Sequence, residues 1–179
     1  VDKYFFSNQP NLNRLIQTKM DNVKDDDKLE LEEKTLKESI SGKRFKIYLW
    51  EEDCSNIEDS EQIKLVVLKK KDNAIMENIF KSKGITPRVN KNTLIFLYPS
   101  DSEKVAFDNA LKKKLACEYV SKDESVKLSE SQKKELLEQQ KSLDLKESAR
   151  RCYKYVAVPG KDGFKEIDLG IPTYGEKRT

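Results

Sequence analysis

The chain contains no histidine. That absence removes Ser-His and Cys-His dyads, the commonest general base and every His-ligated metal site. Cysteine is nearly as scarce. Cys54, Cys117 and Cys152 are scattered, odd in number and without a C-x-x-C pair, which argues against a disulfide framework or zinc site and for a reducing, cytoplasmic setting. No apolar run approaches the ~20 residues of a membrane span, and no signal-peptide pattern opens the chain, so no membrane partner is expected. Charge of one sign is also missing: 35 basic residues stand against 32 acidic ones, a net +3. Tight polyanion binders carry a larger excess, so nucleic acid would be held here only weakly and by a local patch. A G-x-x-x-x-G-K-[ST] loop is absent as well, because Gly42-Lys43 and Gly160-Lys161 lack the upstream glycine that would cradle phosphates.

What is present is 179 residues with 37% charged side chains, enough for one domain with a continuous core and solvated helix faces. Val1 in place of a starting Met, and the abrupt Gly175–Thr179 end, suggest a piece of a longer protein, with a processed N-terminus as the alternative. The strongest apolar run is Leu94-Ile95-Phe96-Leu97-Tyr98, stopped by Pro99. Its shortness and its β-branched and aromatic content predict a strand buried on both faces, in the middle of a parallel or mixed sheet.

Other elements follow in order. Lys3–Phe6 is an aromatic strand candidate. Helical spacing then runs through Leu12, Leu15, Ile16, Met20 and Val23, with Pro10 and Asn11 at the start. Asp25-Asp26-Asp27 interrupts, and a second helical piece runs to Gly42; whether the two form one bent helix is left open. Phe45–Trp50 and Ile63–Leu68 read as strands around an acidic loop. Asp72 is placed to cap a helix through Lys83, closed by Gly84. Beyond Pro99, Ser100 and Glu103 have capping-box spacing ahead of a Phe107, Leu111, Leu115, Tyr119 stripe. Ser129 and Gln132 form a second capping box, opening a long charged helix to about Tyr153. Tyr155–Val158 predicts a further strand, and across the Lys161-Asp162-Gly163 turn Phe164–Leu169 is either its hairpin partner or the start of the next element. The expected fold is α/β, a single domain over residues 1–179: a mixed sheet flanked by helices, with a long polar helical pair in the C-terminal half.

Several of these stretches, in this order, share a likeness. They are Tyr4-Phe5-Phe6-Ser7-x-x-Pro10-Asn11-Leu12-Asn13-Arg14-Leu15, Lys64–Leu68, the segment from Pro87-Arg88-Val89 through Asn92–Leu97, Leu115-Ala116, and Gln132–Tyr155 running into Val156–Pro159. The set resembles a conserved domain of unknown function in large predicted AAA+-superfamily ATPases of prokaryotic phage-defence gene clusters. The resemblance implies a non-catalytic piece of such an ATPase, an accessory or coupling domain, with ATP and Mg²⁺ bound elsewhere in the parent protein. Its partners would be the remainder of the parent ATPase chain and other defence-system proteins. No cofactor is expected in the chain itself.

Candidate contact residues come from the polar stretches. Arg88, Asn90, Lys91 and Asn92 lead into the apolar strand; they can grip phosphate or a partner carboxylate, or simply keep a sheet edge soluble. Asn13 and Arg14 can form a polar contact site, or Asn11 can cap the helix while both face solvent. Asp101 after the apolar strand has the place of a Mg²⁺-holding acid, against a plain acidic first helical turn. Arg150 and Arg151 read as complements to a helix C-terminus. Paired acids such as Glu51-Glu52-Asp53 lack the apolar wall that raises a catalytic carboxyl. No catalytic or metal residue is assigned. The alternative function is a nucleic-acid-binding module using the local basic patch.

Overall fold

The computed structural model describes residues 11–40 and 45–170. The Lys3–Phe6 strand, the Gly42 helix stop and the basic Lys43 and Arg44 lie outside the described residues. The chain divides into two compact units, Val1–Lys34 with Ala106–Leu145, and Thr35–Val105 with Lys146–Thr179.

The first unit is helical. Helix α1 (Leu12–Asp21) starts where Asn11 Oδ1 accepts the Arg14 N–H at 3.2 Å, satisfying one of the orphan donors of a helix start. Helix α2 (Asp25–Ser39) is separate from it, and the acidic triplet forms its first turn, where negative charge offsets the helix dipole. The long α4 (Asp101–Lys122) and α5 (Glu130–Ser142) are the polar pair of the C-terminal half. Both bonds of the Ser129 and Gln132 capping box are made, at 3.2 and 3.0 Å. The unit's core joins Leu12 and Ile16 to Ala116, Cys117, Val120 and Leu136. Polar pins surround it: Lys19 to Asp123 at 3.0 Å and the Tyr119 hydroxyl to Asp27 at 2.8 Å.

The second unit holds the sheet. Strands β1 (Phe45–Leu49), β2 (Ile63–Val67) and β5 (Leu94–Tyr98) run parallel; β6 (Tyr155–Gly160) and β7 (Gly163–Asp168) continue the sheet antiparallel, in the order β1-β2-β5-β6-β7. The apolar run therefore occupies the middle of a mixed sheet, and Leu94 and Phe96 are fully buried. Alternation along the strands splits their side chains between two faces. On one face Val66, Phe96 and Ala157 pack against α3 (Asn73–Lys81) and the short helical turn Cys54–Asn56. On the other lie Leu65, Ile95, Leu97 and Val156, facing the last turn of α2 and α6 (Leu145–Cys152).

Two helix boundaries differ most from the sequence expectation, while β1, β2 and β7 each end one residue early. Helix α3 ends at Lys81, and Ser82–Lys83 (β3) instead pairs with Thr86–Pro87 (β4) in a small hairpin. Gly84 turns that hairpin at a φ of +61°, a conformation that glycine adopts without steric cost. The long C-terminal helix is two helices, parted at Leu143 and Asp144. No described helix is long and apolar enough to cross a membrane.

Candidate functional site

The basic lead-in is the first place to look, and it is built inward. Arg88 is 2% exposed. Its Nε donates to the Ile79 carbonyl at 2.7 Å and its Nη1 to the Glu58 carbonyl at 2.6 Å. Its Nη2 faces the carbonyls of Ile57 at 3.1 Å, Ser82 at 3.3 Å and Cys54 at 3.4 Å. The Arg88 backbone N–H closes the set on the Lys81 carbonyl at 2.9 Å. Ile79 and Lys81 are among the last residues of α3, whose carbonyls have no intrahelical donor. The guanidinium fork thus caps that helix and ties it to the β1–β2 connection. Burial lowers its pKa from the ordinary value, with the nearby Asp59 opposing the shift.

The same bracket continues on either side. Asp59 accepts the Val89 and Asn90 backbone N–H groups, both at 2.8 Å, and these bonds hold its carboxyl below the usual range. Lys64, fully buried in β2, donates to the Ser60 carbonyl at 2.6 Å, the Gln62 carbonyl at 2.8 Å and Thr93 Oγ1 at 2.9 Å. Burial pushes its pKa down as well. Segment 88–93 is therefore stapled to segment 54–62 by two buried cations and one carboxylate, and the stapling is done mainly through backbone groups.

This arrangement corrects the reading of Arg88 as a contact residue: its fork is turned inward onto protein carbonyls and presents nothing to a phosphate. Lys91 lies over the Phe80 ring at 5.6 Å, Asn90 is half-buried and Asn92 is exposed. Losing Arg88, the patch loses the group that would have anchored it. In the other unit, Asn13 and Arg14 are both exposed on α1, and Asn13 Oδ1 accepts from Gln139 at 3.4 Å. Asp101 is exposed in the first turn of α4, and among the described residues no group of three or more His, Cys, Asp or Glu side chains could hold a metal. The three cysteines are free and buried. Trp50 leaves β1 at a φ of +58°, uncommon for an aromatic residue, and Lys69 covers its ring at 5.0 Å.

A cavity of about 340 Å³ lies on the other face of the sheet. Phe45, Ile63, Leu65, Ile95, Leu97 and Val156 form its floor, one or two side chains from each of four strands. Leu36, Ser39 and Ile40 at the end of α2, and Ala149, Arg150 and Tyr153 around α6, form its roof. The cavity is why Ile95 is only partly buried in a strand whose other residues are buried. Ile63 and Leu169, 44% and 42% exposed, mark where the lining meets solvent.

Two polar groups in this apolar lining have no partner among the described residues. Ser39 Oγ is buried and makes no hydrogen bond, although a helical serine can bond back to the carbonyl four residues earlier. A buried hydroxyl left so costs about 1–3 kcal/mol. Among the described residues Arg150 forms no ion pair, while its neighbour Arg151 pairs with Glu147 at 2.9 Å. Sequence reasoning treated the two arginines alike. The separating signal was spacing: Arg150 lies three residues before Tyr153, which is 3% exposed, so the two share a helix face. Ser39 had no such signal.

The apolar floor and the unpaired guanidinium can hold a ligand, but they do not form a nucleophile–base pair. No protein-family model matches the chain, and neither the curated proteins nor the solved structures yield a match.

Proposed function

We propose that the chain is a non-catalytic accessory or coupling module of a larger AAA+-type ATPase, of the kind its ordered motifs resemble. ATP and Mg²⁺ would be bound elsewhere in that protein, and the module would serve a prokaryotic defence system by docking or relaying motion. The observation that carries the non-catalytic part is the use of Arg88. One of the segments that carry the resemblance, Pro87–Leu97, is a brace and a central strand, with its arginine turned onto five carbonyls. Such a segment suits a rigid body that transmits force between neighbours. The nucleic-acid reading ranks second, because the lead-in has lost its anchoring arginine and the remaining lysines are interleaved with acids, whose fields cancel beyond about 8 Å at physiological salt.

Two measurements test this reading. The purified chain should show no ATP turnover; turnover abolished by a substitution within this chain would overturn it. The full reading frame should encode a P-loop in the same polypeptide, and a frame without one would remove the ATPase from the account.

A further inference from the structure

Arg150 poses a question: what partner does an unpaired cation lining an apolar cavity take? A cation beside low-dielectric walls attracts an anion more strongly than one in open water, and guanidinium matches carboxylate geometry in particular. An apolar cavity of about 150 Å³ stays dry and takes up benzene. This one is about 340 Å³, a little over twice that volume and inside the usual range of small-molecule sites. Its floor of Leu65, Ile95 and Leu97 has no polar side chain to solvate bound water. The site therefore asks for a body with the bulk of roughly two benzene rings or a medium-length alkyl chain, and for one negative end. The Ser39 hydroxyl is closed off from the cavity and takes no part in the contact.

We propose that this cavity is a binding site for an apolar monocarboxylate, with its body over Leu65, Ile95 and Leu97 and its carboxylate paired with Arg150. The inference does not depend on the ATPase reading, since the site lies wholly within the sheet-bearing unit and needs no nucleotide.

Decanoate, decanol and 2-naphthoate titrated into the protein by isothermal calorimetry provide the test. Decanoate and 2-naphthoate should bind with dissociation constants below about 1 mM, and decanol at least tenfold more weakly. Arg150→Met should weaken the carboxylates roughly tenfold or more and leave decanol unchanged, as expected for one charge-assisted contact. Arg151→Met, altering the arginine already paired with Glu147, should leave all three unchanged. Equal binding of decanol and decanoate would overturn the carboxylate assignment. Failure of all three to bind would overturn the site, as would equal losses in the two arginine variants. Thermal melts of both variants without ligand verify folding, and Ser39→Ala, which removes a hydroxyl closed off from the cavity, should leave decanoate affinity unchanged.

Discussion

Arg88→Ala should unfold the sheet-bearing unit far more readily than removal of a surface arginine would. Truncation removes two short bonds, to Ile79 at 2.7 Å and Glu58 at 2.6 Å, and three longer ones to Ile57, Ser82 and Cys54. Hydrogen bonds from a charged donor contribute about 1.5–3 kcal/mol each. The two short ones alone would give about 3–6 kcal/mol, and relief from desolvating the cation and water entering the gap offset part of that. The expected loss is about 3–5 kcal/mol, because the deletion leaves several buried carbonyls without a donor. Arg88→Lys should recover only part of it, since an ammonium cannot reproduce a planar fork reaching carbonyls of the β1–β2 connection and of α3 together. Guanidinium melts followed by fluorescence provide the assay, because the chain's one tryptophan, Trp50, reports on this unit. A loss under about 0.5 kcal/mol, the usual size for a surface substitution, would refute the brace and return Arg88 to the surface.

Two further outcomes follow from the two cores. Phe96→Ala, at a fully buried ring packed edge-on to Phe164 at 5.4 Å, should cost about 3–5 kcal/mol, and Lys113→Ala less than about 0.5 kcal/mol; equal effects in denaturant melts would mean the core is elsewhere. In the helical unit, Asp123 is held down to about 2 by the Ser125 hydroxyl first and by Lys19. A carboxyl depressed below its unfolded value of about 3.9 stabilises the fold above that value, and the contribution fades as pH falls toward the folded value. The stability gap between the wild type and Asp123→Asn should therefore shrink from pH 5 down to pH 2, and a constant gap would contradict the assignment.

Much of the scaffold was legible in the sequence because it depends on local chemistry. Leu94–Tyr98 declares a central strand by its composition, Ser129 and Gln132 declare a helix start, and the turn after Pro159-Gly160 allows the β6–β7 hairpin as one of two readings. Helix ends were less legible where competing structures differ by little. Leu143 and Asp144 are compatible with helix, so nothing local announces the break, and Ser82-Lys83 left α3 because a strand partner at Thr86-Pro87 was available. The brace around Arg88 was illegible for a different reason. Its carbonyl partners in the β1–β2 connection, at Cys54, Ile57 and Glu58, lie 30 or more positions earlier in the chain, and backbone acceptors leave no mark on side-chain sequence. An arginine among amides therefore reads as exposed. The cavity is equally non-local, assembled from four strands and two helix ends.

The proposed division gives ligand contact to the apolar cavity and structural bracing to the basic lead-in. Backbone amide NMR shifts of the labelled protein, recorded with decanoate and separately with a short duplex DNA at physiological salt, compare the two surfaces directly. Decanoate should move Ser39, Leu65, Ile95, Leu97 and Arg150, while DNA should leave Val89–Asn92 in place at concentrations up to about 1 μM, consistent with purely non-specific affinity. Saturable DNA-induced shifts at Lys91 and Asn92 below that concentration, with the cavity amides silent to decanoate, would contradict it.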